Sequence, residues 1–178
     1  MDIWNSDIRD NHAWPGAICG SGGGISIVPS WSDPAKCTRA GGCNVRIFGS
    51  RIANNTANCT GGGIYAGRAG SSYYVPSVSS FIHINDTIIE GNVAWMDAGG
   101  IHQEPGAPHL FLTRSIVRDN VAERWGGGGM HVIGNTTLIS TDVYDNRATQ
   151  AAYAQGGGIT NEGEHAHSHT CHLHVRTR

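Results

Sequence analysis

The sequence repeats one pattern five times. An Asn stands at positions 11, 55, 92, 120 and 146, and Ala follows each of them two residues later. A branched apolar residue lies three positions before each Asn, Ser or Thr lies five before it, and another apolar residue lies eight before it. A Gly-Gly pair precedes an apolar residue in every copy: Ile25, Ile64, Ile101, Met130 and Ile159. Such self-similarity indicates one supersecondary unit stacked on copies of itself.

The spacing inside the repeat favours short strands over helices. Apolar residues are separated by two and then five positions, as in Val45, Ile47 and Ile52, and no copy carries an apolar stripe of helical period. Successive Asn positions are 44, 37, 28 and 26 residues apart, so the unit is about 26 residues long and the first two copies carry insertions. We therefore predict an all-β parallel solenoid of about five coils, each with three short strands and three corners.

Stacking of the coils explains why each of these residue types recurs at its position in the repeat. Asn adopts left-handed corners readily, and its amide can both donate to and accept from an Asn one coil away, which predicts an asparagine ladder. Ala suits a narrow inward position, and the Ser or Thr is expected to bond backbone at another corner. The glycines permit positive φ or close backbone approach. A phosphate-binding loop is disfavoured because no Lys-Ser or Lys-Thr follows them.

The repeat resembles a known family. Gly62-Gly63-Ile64 together with Ile52 and Asn55 is similar to the signature of the polymorphic outer-membrane protein repeats of bacterial surface autotransporters, and so are the corresponding elements of the other copies. This sequence has Ile or Val three positions before the Asn, where those repeats often have Phe. The resemblance covers nearly the whole chain and implies a right-handed parallel β-helix of the pectin-lyase-like class.

Composition agrees with a single domain of 178 residues and favours neither nucleic acid nor an anionic membrane as a partner. The net charge is −2, so no basic surface favours nucleic acid. No apolar run is long enough to predict a membrane span. We expect residues 1–178 to form one β-helix with uncapped ends, cut from a longer solenoid. Residues 165–178 are expected to be a His-rich tail and an incomplete sixth coil beginning at Leu173.

The cysteines bear on the compartment. Pairs Cys37–Cys43 and Cys19–Cys59 would join the two coils that carry long insertions, and disulfides would indicate an oxidising environment. The alternative is four unrelated buried thiols. The prediction that follows from disulfides is a location at the cell surface or outside the cell.

One acidic column is a candidate for chemistry. It holds Asp10, Asn54, Gly91, Asp119 and Asp145, each directly before a ladder Asn. Asp119 and Asp145 on successive coils would suit Ca²⁺ or an acid/base pair, with Arg118 beside them. The competing and favoured interpretation is that Asp, Asn and Gly form the turn there.

Histidines supply the candidate metal ligands. His102 and His131 follow the Gly-Gly-apolar element in neighbouring coils, with Glu104 nearby, and would bind a metal or act as a base. A solvated surface pair is the alternative. His165, His167 and His169 alternate in the tail and would bind Zn²⁺, with adventitious affinity as the alternative. No cofactor is required by the sequence; Ca²⁺ and Zn²⁺ are the candidates.

Aromatic residues gather in the loops between the Asn and Gly columns. Trp14, Trp95, Trp125 and Tyr153 would form a row that stacks on sugars or a protein, or else would cover apolar edges. We therefore expect an adhesin-like binding module for a glycan or a cell-surface protein. The alternative is a polysaccharide lyase or glycoside hydrolase, which would use Asp119, Asp145 and Arg118.

Overall fold

The computed structural model describes residues 1–14, 19–28, 44–67, 80–150 and 156–162. Every regular element within these ranges is a β-strand. None of the described segments forms a helix long and apolar enough to cross a membrane. The predicted all-β class is confirmed. The expected sixth coil and the Cys37–Cys43 pair lie outside the described residues.

Each coil carries four strands in the same order. In chain order they are β1 (Asp2–Trp4), β2 (Asp7–Arg9), β3 (His12–Ala13) and β4 (Ile25–Ile27); β5 (Val45–Phe48), β6 (Arg51–Ala53), β7 (Thr56–Ala57) and β8 (Ile64–Ala66); β9 (Phe81–Asn85), β10 (Ile88–Glu90), β11 (Val93–Ala94) and β12 (Ile101–Gln103); β13 (His109–Thr113), β14 (Ile116–Arg118), β15 (Val121–Ala122) and β16 (Met130–Val132); β17 (Thr136–Ile139), β18 (Asp142–Tyr144), β19 (Arg147–Ala148) and β20 (Ile159–Asn161).

The coils stack into four parallel sheets of five strands, which makes the molecule a parallel β-helix. The first sheet has the order β1-β5-β9-β13-β17, so it contains the first strand of every coil. The other three sheets contain the second, third and fourth strands of the coils in the same way. Equivalent repeat positions are paired, as in Ile47 with Ile84 and Ile52 with Ile89. A position in the repeat is therefore a stripe on the solenoid.

The four strands of each coil differ from the three that were expected. The additional strand is the two-residue segment directly after the ladder Asn, for example Thr56–Ala57. Only one of its residues points inward, and that residue is the repeated Ala. Strand alternation is not detectable over two residues, which is why the sequence pattern missed this element.

The apolar stripes form the core. Ile52, Ile64, Ile89 and Ile101 are all fully buried in the central coils. Each stripe packs on the next coil as well as on the other sheets, so the core is continuous along the solenoid axis. Isoleucine and valine suit this arrangement because β-branched side chains pack well on a pleated surface.

The asparagine ladder forms as predicted. The backbone N–H and Nδ2 of Asn92 both donate to Oδ1 of Asn120, each at 3.0 Å. Nδ2 of Asn92 also donates to the carbonyl of Ile52 in the preceding coil, at 2.9 Å. Equivalent side-chain bonds connect all five ladder residues: Asn11, Asn55, Asn92, Asn120 and Asn146.

The left-handed corner lies one residue before the ladder Asn and not at the Asn itself, so that part of the expectation was wrong. The φ angles are 59° at Asp10, 55° at Asn54, 62° at Gly91, 56° at Asp119 and 53° at Asp145. The ladder explains the shift, because the backbone N–H and the side chain of Asn must both face the same oxygen in the next coil.

The hydroxyl and glycine columns also have defined roles. Oγ of Ser50 donates to the carbonyl of Phe48 at 2.8 Å and accepts from the N–H of Ser6 at 3.1 Å. Gly61, the first of its triplet, has a φ of 65°. A Cβ on Gly62, the second, would lie 2.5 Å from the carbonyl oxygen of the next coil's glycine. Positive φ and close approach are therefore both needed, at different glycines.

Candidate functional site

A short loop, Trp95–Ala98, links two neighbouring clusters of functional side chains. The loop follows β11 and keeps the stacking register of the strands. Trp95 N–H donates to the carbonyl of Ala57 at 3.0 Å, and the carbonyl of Asp97 accepts from Gly61 N–H at 3.0 Å. Because its backbone is bonded to the preceding coil, the loop holds Trp95 and Asp97 at fixed positions.

A disulfide supports this loop from the coils before it. Cys19 and Cys59 are bonded, with their Cα atoms 5.1 Å apart, as the sequence had allowed. Sδ of Met96 lies 3.2 Å from Sγ of Cys59 and 3.9 Å from Sγ of Cys19. The side chain between Trp95 and Asp97 is therefore packed against the cross-link.

A groove of about 110 Å³ lies beside the third sheet. Trp14, Asn58, Trp95 and Glu123 line it, and each directly follows the inward Ala of its coil. These four residues form one stripe, with the two indoles separated by a coil. Trp14 is 80% exposed and Trp95 is 40% exposed. The groove therefore offers two exposed indoles with polar side chains between and beyond them, and the guanidinium of Arg124 covers one face of Trp95.

The other predicted aromatic residues do not join this groove. Trp125, which is 41% exposed, is not among the residues that line it. It lies three residues after the inward Ala122 and belongs to a different stripe. Arg124, the residue before it, places its guanidinium 4.0 Å from the ring centre of Trp95. Tyr153 lies outside the described residues.

A second aromatic surface on the first sheet was not predicted. Trp4 stacks on Phe48 with ring centres 4.4 Å apart. His83 meets Phe111 edge to face at 4.7 Å in the next two coils. These rings occupy outward positions of the first strand in each coil. The alternation of aromatic and apolar residues along these strands could have predicted this surface from the sequence.

The His102–His131 pair is buried, together with an acidic residue. His102 on β12 and His131 on β16 are neighbours in register, and their rings pack edge to face with centres 5.1 Å apart. Asp97 approaches from the loop, and all three residues are less than 9% exposed. One potential ligand atom from each lies within 4.8 Å of the others. The alternative of a solvated surface pair was wrong.

Carboxylates approach both nitrogens of one histidine. Nδ1 of His131 lies 3.4 Å from Oδ1 of Asp97, and Nε2 lies 3.7 Å from Oε2 of Glu162. Glu104, which was expected near the pair, instead accepts a hydrogen bond from Tyr65 at 2.8 Å. Tyr65 in turn stacks on His102 with ring centres 5.8 Å apart.

The two histidines have opposite pKa shifts. Burial, and to a smaller extent the neighbouring His131, lower the pKa of His102 to about 4, with Asp97 acting in the opposite direction. Burial also acts to lower the pKa of His131, but Asp97 and Glu162 outweigh it and hold that pKa above its usual value. His102 is therefore neutral at pH 7, and one of its two ring nitrogens has a lone pair that can bind a ligand.

The candidate acid/base residues serve the scaffold. Asp119 and Asp145 occupy the left-handed corners described above. Arg118 places Nη2 2.6 Å from Oε2 of Glu90 and Nη1 3.4 Å from the Tyr144 hydroxyl. Turn formation and an ion pair account for these residues in the structure. The tail residues His165, His167 and His169 lie outside the described residues.

Asp97 was missed in the sequence because the equivalent position of the preceding coil holds Thr60, so no acidic column marks it. It lies in the loop between the Asn and Gly columns, where the copies differ in length and composition. Its position two residues after Trp95 carries no periodic signal. Only the stacked loop geometry brings its carboxylate to the histidines.

Comparison with known proteins found one partial relative. Over 102 residues the chain is 30% identical to the protein described as Probable autotransporter YfaL of Escherichia coli (strain K12). The match covers 53% of this chain and 7% of that protein. The chain thus spans a small part of the relative's length. No family model and no solved structure matches the chain.

Proposed function

We propose that this β-helix acts at the cell surface or outside the cell as a binding module, with part of a glycan held in the groove beside the third sheet. The groove carries the proposal: two exposed indoles, Trp14 and Trp95, lie on one stripe with polar side chains between and beside them. Indole faces stack on the apolar faces of sugar rings, while polar neighbours bond the hydroxyls.

The dimensions of the groove favour a polymer over an enclosed small molecule. Its volume of about 110 Å³ is well below the range of about 300–1,000 Å³ usual for small-molecule pockets. The two indoles are two coils apart, which corresponds to about 9.6 Å along the solenoid. That separation suits two stacked sugar units of one extended chain.

Two observations support the location. The matched relative is described as a probable autotransporter, and we extend the surface location that this description implies to this chain. The Cys19–Cys59 disulfide suits an oxidising environment outside the cytosol. The proposal also takes the solenoid to be right-handed, because crossovers between parallel neighbours in one sheet are almost always right-handed. Its assignment to the pectin-lyase-like class is what the resemblance of the repeat implies.

The proposal is tested by binding to a glycan array, followed by calorimetry with the best glycan. We expect Trp14→Ala and Trp95→Ala each to weaken binding about tenfold, which corresponds to about 1.4 kcal/mol. Trp125→Ala is the matched control, because it removes an indole of similar exposure outside the groove.

Three outcomes would contradict the proposal. One is binding that is unchanged in the Trp14→Ala/Trp95→Ala double variant. Another is the absence of any glycan ligand together with tight binding of a cell-surface protein. The third is release of new unsaturated or reducing ends from the bound polymer, which would make the chain a lyase or hydrolase.

A further inference from the structure

We propose that Asp97, His102 and His131 bind one divalent transition-metal ion of the Zn²⁺ class. The site is separate from the glycan groove and does not depend on the proposed function. Two coils supply the ligands: Asp97 and His102 come from the third coil and His131 from the fourth. Their ligand atoms lie within 4.8 Å of one another.

Unpartnered nitrogens are the first argument for a ligand. Nδ1 of His102 is buried and makes no hydrogen bond, and the buried ring nitrogens of His131 also make none, although each faces a carboxylate at 3.4 or 3.7 Å. A buried polar atom without a partner costs about 1–3 kcal/mol, and native proteins keep few of them. One cation binds one nitrogen of each ring, so a single bound ion would satisfy Nδ1 of His102 and Nδ1 of His131, while Nε2 of His131 faces Glu162.

The spacing of the groups is the second argument. Nδ1 of His131 and Oδ1 of Asp97 are 3.4 Å apart. Two ligands of a tetrahedral Zn²⁺ ion, each bound at about 2.0–2.2 Å, are themselves about 3.4 Å apart. This pair therefore already has the separation of two zinc ligands, and a ligand atom of His102 lies within 4.8 Å of both.

Glu162 supplies the outer support that metal-bound histidines usually have. Its Oε2 lies 3.7 Å from Nε2 of His131, on the opposite side of the ring from Asp97. A carboxylate at the second nitrogen orients the ring and fixes the tautomer that leaves the first nitrogen free for the metal. The chain thus presents an Asp, two His and one supporting Glu.

The donor set selects the class of ion. Two imidazoles and one carboxylate suit Zn²⁺, Co²⁺ or Ni²⁺, whereas Ca²⁺ and Mg²⁺ require sites built from oxygen. Three protein ligands leave a fourth position for water or another group. Since the ligands come from adjacent coils, a bound ion would also join β12 to β16 and stabilise the fold through binding linkage.

The test must separate this site from the histidines of the tail. We would use the full chain with His165, His167, His169, His172 and His174 all replaced by Ser, and titrate it with Co²⁺. The expected result is one equivalent of bound Co²⁺ with the intense visible absorption of tetrahedral coordination. Zn²⁺ should displace the Co²⁺ and raise the melting temperature.

Single variants in that background assign the ligands. We expect Asp97→Asn, His102→Gln and His131→Gln each to weaken Zn²⁺ binding at least about 100-fold, and Glu162→Gln to weaken it about tenfold. His12→Gln, which changes an exposed histidine of the third sheet, should leave the affinity unchanged. Circular dichroism verifies that each variant retains its strands.

The proposal is overturned if the tail-substituted chain binds no Co²⁺, or if it binds Co²⁺ with an affinity that the ligand variants leave unaltered. The second result would mean an adventitious ion only. If the unmodified chain binds metal and the tail-substituted chain does not, the affinity belongs to the tail and the buried site is likewise overturned.

Discussion

At the scale of single residues, the side chain of each inner ladder Asn makes four hydrogen bonds at a narrow corner. Its Oδ1 accepts two hydrogen bonds from the preceding coil, and its Nδ2 donates to an oxygen on either side. The left-handed turn is left to the residue before it. No apolar residue of similar size can satisfy the same buried atoms, so the Asn repeats without exception.

Replacement of one inner ladder Asn should therefore destabilise the fold. Asn92→Leu leaves the backbone N–H and Nδ2 of Asn55 without the oxygen to which they donate. We expect the free energy of unfolding to fall by about 1–3 kcal/mol, measured by guanidinium denaturation.

Asn11, the first Asn of the ladder, provides the matched control. Asn11 is exposed and receives no bond from a preceding described coil, so Asn11→Leu removes one donor to Asn55 and leaves the other in place. Its effect should be clearly smaller. Equal losses from Asn92→Leu and Asn11→Leu would contradict the ladder as the source of stability.

At the scale of strands, charged side chains join three coils on the outer face of the second sheet. Glu90 on β10 accepts from Arg51 on β6 and from Arg118 on β14, with guanidinium nitrogens 2.6 Å from each carboxylate oxygen. Burial acts to raise the pKa of Glu90, but the hydrogen bonds from Arg51 and Arg118 outweigh it and hold that pKa below its usual value. The strands are thus connected by charge as well as by backbone.

This network predicts a pH dependence of stability. Because the folded pKa of Glu90 lies below its usual value of 4.5, its contribution is complete above that value and is lost as the pH falls through the folded pKa. Glu90→Gln should cost about 1 kcal/mol or less at pH 7, since both guanidinium groups are partly exposed to solvent.

Urea unfolding at neutral and acidic pH measures this effect. The difference in stability between the wild type and Glu90→Gln should shrink on acidification and with added salt. Glu123→Gln, which changes an exposed carboxylate of the groove stripe, should show little effect at either pH. A difference for Glu90→Gln that grows at acid pH would contradict the network.

At the scale of the whole molecule, the sequence predicted what is periodic and missed what is not. The stacked coils, the ladder and the apolar stripes follow from columns of equivalent residues such as Ile52 and Ile89. The two-residue strands escaped because one inward Ala per copy makes no alternation. The repeat did bring His102 and His131 together.

The parts of the sites that lie in loops depend on tertiary structure. The position of Asp97 is held by Thr60 in the preceding coil, and the approach of Asp97 to the histidines depends on how one loop stacks on another. Trp14 and Trp95 share a stripe that alignment to the inward Ala would have shown, whereas Trp125 only shares their region of sequence. Proximity in sequence was therefore a poorer guide to the groove than position within the repeat.

The register of the coils is the claim on which the groove, the metal site and the ladder all depend. Nuclear Overhauser spectroscopy on the isotopically labelled protein tests it most directly, through contacts between the side-chain amide protons of Asn92 and the amide protons of Asn120. The account predicts such cross-peaks between ladder residues 28 positions apart, together with slow exchange of those protons. Cross-peaks confined to near neighbours in sequence, with rapid exchange of the Asn side-chain amides, would contradict it.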